Sequence, residues 1–133
     1  MPWINFAAVG HFAAVGLGAA CGAWLRWGFS LWLNPVFPTL PLGTLTANLI
    51  GGLIIGLVMG VAEPMHLSAT MRLLLVTGFL GGLTTFSTFS AETTNLLMKG
   101  QYGWGAVVIV THLVGSLVLT AIGVLLARAA LAR

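Results

Sequence analysis

Apolar residues run along this chain in four long blocks, separated by short clusters of proline, glycine and polar side chains. A bilayer core of about 30 Å takes about 20 apolar residues in helical form. The blocks cover residues 6–33, 42–61, 68–98 and 104–130, so each is long enough to cross. All five prolines lie outside them: Pro2 at the start, Pro35, Pro38 and Pro41 after the first block, and Pro64 after the second. Proline interrupts helices, so this confinement supports the boundaries. Lys99-Gly100-Gln101-Tyr102-Gly103 forms the last turn, and Trp32, Tyr102 and Trp104 fall near expected span ends, where aromatic belts sit. The pattern predicts an all-α integral membrane protein with four transmembrane helices. One membrane domain then takes up 1–133, with no soluble domain between spans.

Composition removes the competing classes. Only seven side chains are formally charged, 5% of the chain, against about 25% in average soluble domains. So few charges cannot cover a soluble fold, and disorder needs the opposite composition. The net charge of +3 comes from scattered Arg and Lys, with no basic cluster to neutralise phosphates, which excludes nucleic-acid binding. The single cysteine, Cys21, excludes an internal disulfide and reads as a small packing residue. Its run Gly18-Ala19-Ala20-Cys21-Gly22 faintly resembles a lipoprotein cleavage site, but no Lys or Arg precedes Arg26 to supply a signal peptide's basic region. Four spans place both termini and the 63–67 loop on one side. That side carries Arg72, Arg128 and Arg133, against Lys99 and Arg26 on the other. This weak bias fits either a chain that needs few charges or insertion in both orientations as an antiparallel dimer.

Spacing of four keeps side chains on one helical face. Thr44, Asn48, Gly52, Gly56 and Gly60 share such a face in the second span. The glycines read as close helix packing. Asn48 has two readings: interhelical glue, or two N–H donors offered to an anion. Gly18, Gly22, Arg26 and Ser30 repeat the spacing in the first span. Arg26 either snorkels to the interface or marks the mouth of an aqueous vestibule. In the fourth span His112, Ser116 and Thr120 share a face. A lone membrane histidine is more often bonded to a neighbouring helix than part of a proton relay.

The third span holds Gly78-Phe79-Leu80-Gly81-Gly82-Leu83-Thr84-Thr85-Phe86-Ser87-Thr88-Phe89-Ser90. Glycines followed by crowded hydroxyls make poor helix. Irregular backbone at membrane depth is tolerated where it is buried or lines a cavity, and it frees carbonyl and N–H groups to hold ions. A break is expected over 81–85, against the alternative of a flexible or tightly packed helix. Phe86 and Phe89 share a face if the helix then resumes. Their positive ring edges can stabilise a small anion without formal charge.

These strings carry a resemblance. With Gly18-Ala19-Ala20-Cys21-Gly22-Ala23-Trp24-Leu25-Arg26-Trp27 and Gly43-Thr44-Leu45-Thr46-Ala47-Asn48-Leu49-Ile50-Gly51, the block from Gly78 to Ser90 makes the chain similar, over essentially its whole length, to the Fluc/CrcB family of fluoride channels. The resemblance implies passive export of cytoplasmic fluoride through a dual-topology antiparallel homodimer in the bacterial inner (plasma) membrane. It implies that Phe86 and Phe89 contact fluoride edge-on, with Asn48 in the pore, Thr88 beside the rings, Ser116 on the fourth span and Arg26 near the vestibule. It further implies a structural sodium ion at the dimer centre, held by the main-chain carbonyls of Gly81 and Thr84. The fourth span departs from the Tyr-xxx-Ser-xxx-Ser track of some relatives, carrying Val108, His112 and Ser116. Glu92 matches an acidic position frequent in the family.

A small multidrug-type, proton-coupled transporter is the alternative. It needs a carboxylate within the membrane, yet the first span has none, Glu63 falls in a loop, and Glu92 sits late in the third span. A membrane scaffold held by glycine packing leaves the hydroxyl-rich segment without a purpose. No nucleophile–base pair supports an enzyme.

Overall fold

The computed structural model describes residues 6–62 and 66–132. Glu63, Pro64, Arg133 and most of the expected 63–67 loop lie outside that set. The chain is all-helical over these residues, and four stretches are long and apolar enough to cross a membrane: Ala7–Val36, Leu42–Val61, Ala69–Met98 and Tyr102–Leu131.

Helix α1 (Phe6–Leu33) runs into a 3-10 turn at Asn34–Val36, where Pro35 ends regular geometry. The Asn34 side chain accepts the Gly43 N–H at 2.8 Å, tying this turn to the start of α2 (Leu42–Val61). The third span is composite. Ser68 caps α3 (Ala69–Arg72) by accepting the Met71 N–H. The chain then widens into a π-helix over Leu73–Leu80 and closes with one α-turn, α4 (Gly81–Leu83). Thr84 and Thr85 are extended. Helix α5 (Phe86–Met98) follows, capped by Thr85, whose Oγ1 accepts the Thr88 N–H. At its end, Gly100 adopts φ +72°, and the bonds Gly100 N–H to Leu97 and Gln101 N–H to Leu96 form a Schellman cap. That cap finishes within three residues, so α6 begins at Tyr102, two residues ahead of the expected boundary, and runs to Leu131.

Small residues bring the helices together. The tightest pair is α2 and α6. A Cβ on Gly56 would strike the Thr120 backbone, and Thr120 Oγ1, 2.8 Å from Ser116 O, also reaches Gly52 O at 2.9 Å. Helix α1 lies on the π-helix in the same way, since a Cβ on Gly22 would strike the backbone of Phe79 and Leu83. The buried apolar clusters are correspondingly small: Ala47, Leu80 and Leu83 in one, Phe89, Leu96 and Val108 in the other. Large apolar side chains such as Phe12, Trp24, Trp32 and Leu117 face outward. In a bilayer that outer face meets lipid, and helix association rests on close packing rather than on a hydrophobic core.

Candidate functional site

The two extended threonines organise the site. In an uninterrupted helix the Thr85 N–H would bond to the Gly81 carbonyl. Here it donates to Asn48 Oδ1 at 2.7 Å, and Asn48 Nδ2 donates back to the Thr85 carbonyl at 3.0 Å. One side-chain amide on α2 therefore replaces the lost helical acceptor of the Thr85 N–H and adds a second bond to its carbonyl, the N-cap carbonyl of α5, at a buried residue (Thr85 is 9% exposed). The next diversion follows directly. The Thr88 N–H, which would otherwise reach the Thr84 carbonyl, is taken by Thr85 Oγ1 at 3.1 Å. The carbonyls of residues 81–84, those of Gly81 and Thr84 among them, thus lose their helical donors. The Gly82 carbonyl between them is occupied, accepting from Arg26 Nε at 3.0 Å.

Asn48 reaches one helix further. Its Nδ2 lies 3.0 Å from His112 Nδ1 on α6. His112 is buried and its imidazole stacks on Phe89, with centroids 4.7 Å apart and planes 28° apart. Phe89 in turn meets Phe86 edge-on, at 5.4 Å and 63°. Phe89 is 7% exposed and Phe86 72% exposed, so the second ring stands at the protomer's rim.

A cavity of about 510 Å³ opens against these groups. Asn48, Phe86, Phe89 and Ser116 line it together, as do Gly81 and Thr84. Among the candidates named from sequence, these six are brought to one place. Thr88 does not line the cavity but sits one step behind it. Its hydroxyl oxygen accepts from Thr85 Oγ1 at 2.9 Å. Arg26 is also off the cavity wall, bonded to the Gly82 carbonyl on the α1 side. On the single chain Asn48 Nδ2 faces both Thr85 O and His112 Nδ1, and the side chain also lines the cavity.

Three contributors were not singled out as site residues by the sequence. Thr85 is the hub of the interruption, yet it looks like its hydroxyl neighbours in a threonine-rich string. Thr44, one turn before Asn48, donates its hydroxyl to Glu92 Oε1 at 2.6 Å, while Glu92 Oε2 is buried without a partner among the described residues. The i, i+4 relation of Thr44 and Asn48 was the available signal. Val108, where some relatives carry tyrosine, is fully buried against Phe89 and Leu96. Cys21 is exposed on the single chain. Among the described residues no three His, Cys, Asp or Glu side chains gather into a metal-ligand cluster.

Comparison with known proteins agrees with this architecture. The model of the family described as CrcB-like protein, Camphor Resistance (CrcB), matches residues 13–124. A protein of Nitrosospira multiformis called fluoride-specific ion channel FluC is 60% identical over 116 residues, covering 84% of this chain and 88% of its own. Relatives of the same name from Thiobacillus denitrificans and Pseudomonas putida are 55% and 57% identical, each covering more than four-fifths of both chains. With a family model spanning most of its length and relatives this similar over more than four-fifths of it, the chain belongs to the CrcB family.

Proposed function

We propose that this protein is a fluoride-selective channel that lets cytoplasmic fluoride leave passively down its electrochemical gradient. The carrying observation is the cavity wall, in which an edge-on pair of phenylalanines, hydroxyls and interrupted backbone converge without a formal charge. Fluoride is small and tightly hydrated, so a path must replace its water with several donors at once. Ring edges of Phe86 and Phe89 supply positive potential, and the Ser116 hydroxyl supplies an O–H. Thr88, whose oxygen already accepts from Thr85, keeps its own proton to give. Asn48 serves the path by fixing Thr85, and Arg26 adds positive charge beside the interruption while holding Gly82. The names of the relatives support the ion's identity.

The interruption at Thr84–Thr85 sits at mid-depth of the third span, and the working unit is an antiparallel homodimer inserted in both orientations in the bacterial inner membrane. Two observations favour a second copy. Phe86 and Gly81 line the cavity yet are exposed on the single chain. An ion path open to lipid along one side leaves its polar groups unsatisfied, so a second wall is needed. The carbonyls of Gly81 and Thr84 suit a hard cation of modest charge. Facing their counterparts in the partner, they would hold a structural sodium ion, which supplies fixed charge and cross-links the two interruptions. The donor set fits: neutral main-chain oxygens freed from helical bonding, with no thiolate or imidazole among them.

Fluoride efflux from liposomes carrying wild type, F86I or F89I tests the reading. Wild-type protein should empty the vesicles, and either substitution should abolish flux while leaving the dimer intact by size-exclusion chromatography. Undiminished flux in both variants would remove the ring-edge role.

A further inference from the structure

The interruption of the third span leaves a run of carbonyls without helical donors, and a side chain of α1 claims the one in the middle. Arg26 gives its Nε–H to the Gly82 carbonyl at 3.0 Å. About two turns earlier on the same helix, Ala19 meets the same glycine, since a Cβ on Gly82 would strike the Ala19 backbone. Gly82 is therefore attached to α1 twice, once by close packing and once by a charge-assisted bond.

Its neighbours belong to the other side of the turn. Gly81 and Thr84 line the cavity, and neither Gly82 nor Arg26 does. Gly81 is exposed on the single chain, and a Cβ there would meet nothing nearer than Val76 O at 3.8 Å. Thr84 is steadied through its side chain, whose Oγ1 donates to Leu80 O at 2.8 Å and whose methyl lies against Gly51. The turn thus divides its carbonyls: one is tied to α1, and those beside it flank the cavity. Released from Arg26, the Gly82 peptide would regain the freedom that glycine has above all residues, and the carbonyls next to it would move with it.

We propose that Arg26 is a positioning residue for the cation site: its Nε–H holds the Gly82 carbonyl on α1, so that the carbonyls of Gly81 and Thr84 are ordered for the sodium ion before it binds. The inference rests on the sodium reading above and gives the guanidinium the role of a clamp rather than of a charge. The two roles have opposite signs. A cation beside a cation site repels the ion, so on charge alone removing the guanidinium tightens sodium binding. Removing a clamp weakens it, because the turn must then be ordered when the ion arrives.

Two substitutions separate clamp from charge. In R26Q the amide nitrogen stands as many bonds from the backbone as the Nε of Arg26, so it can still donate to Gly82, without charge. R26M sets a methyl group there, with neither donor nor charge. Sodium binding is read as the gain in thermal stability of the purified protein when sodium chloride replaces N-methylglucamine chloride at constant ionic strength. R26M should need roughly tenfold more sodium than wild type for the same gain, the factor for ordering one residue's backbone. R26Q, which keeps the donor and loses the repulsion, should need no more than wild type. Wild-type protein supplies a second measurement that does not depend on whether R26M folds. In its carbonyl carbon-13 NMR spectrum the Gly81 and Thr84 signals should move when sodium is added, while the Gly82 signal stays in place. R26M that binds sodium as tightly as wild type or more so, R26Q that needs as much sodium as R26M, or a Gly82 signal that moves as far as its neighbours overturns the proposal. In each of those cases a wild type that responds to sodium leaves the cation reading standing. A wild type whose stability and carbonyl signals ignore sodium overturns both.

Discussion

At Asn48 a single amide takes the place of the peptide group that a continuous helix would set against the Thr85 N–H. It satisfies the N–H and the carbonyl of Thr85 and then reaches His112. Replacing it with alanine strips three bonds at once and leaves the buried Thr85 N–H without a partner. Hydrogen bonds between membrane helices average about 0.6 kcal/mol, with a maximum near 1.7, so N48A should cost about 1–3 kcal/mol of folding stability. Reversible unfolding in mixed micelles reads that loss. N48D is the sharper variant, because it can still accept from Thr85 N–H but sets an oxygen against the Thr85 carbonyl. It should fall at or below N48A in stability, and a wild-type value would contradict the bonding assigned to this amide. The sequence made Asn48 visible as a polar group in an apolar face. It could not choose between glue and anion donor, because that choice depends on which backbone atoms of the third span lie opposite.

At the scale of elements, glycine placement decides how closely helices approach. Gly56 stands where any side chain would strike the Thr120 backbone, whereas Gly16 has open space around its Cα. G56V should therefore destabilise by about 1–3 kcal/mol or more through overpacking. G16A, in a helix interior, should be neutral or stabilise by about 0.4–1 kcal/mol. Comparing the folded fraction of the two variants checks this, and equal behaviour would refute the close contact of α2 with α6. The boundaries of α1, α2 and α6 were readable because proline and glycine punctuate long apolar blocks. The π-helix over Leu73–Leu80 was not, since Leu-Leu-Leu-Val-Thr-Gly-Phe-Leu has no residue that distinguishes π from α geometry. It packs closely against Gly18 and Gly22 of α1, a relation between distant segments. The glycine-and-hydroxyl string did advertise irregular backbone, and the structure places the extended pair at Thr84 and Thr85. What composition could not give was the consequence: which N–H groups are diverted, and hence which carbonyls are released.

At the scale of the whole molecule, the scarcity of charge changes meaning. Seven charged side chains in 133 residues first mark a membrane protein. In the proposed path they also mark an anion route built from ring edges, hydroxyls and backbone, with Arg26 alone among the described cations bonded at the interruption. The near balance of basic residues across the span ends accords with insertion in both orientations. In a Cys21→Ala background carrying Lys99→Cys, a membrane-impermeant maleimide added to one side should label about half of the molecules, since a weak bias leaves orientation undecided. Labelling of nearly all or none from one side would refute dual topology. The central claim is selectivity for fluoride, and it is tested most directly by ion-selective-electrode recordings of efflux from proteoliposomes loaded with both fluoride and chloride. The account predicts rapid protein-dependent loss of fluoride while chloride stays inside; equal loss of both ions would contradict it.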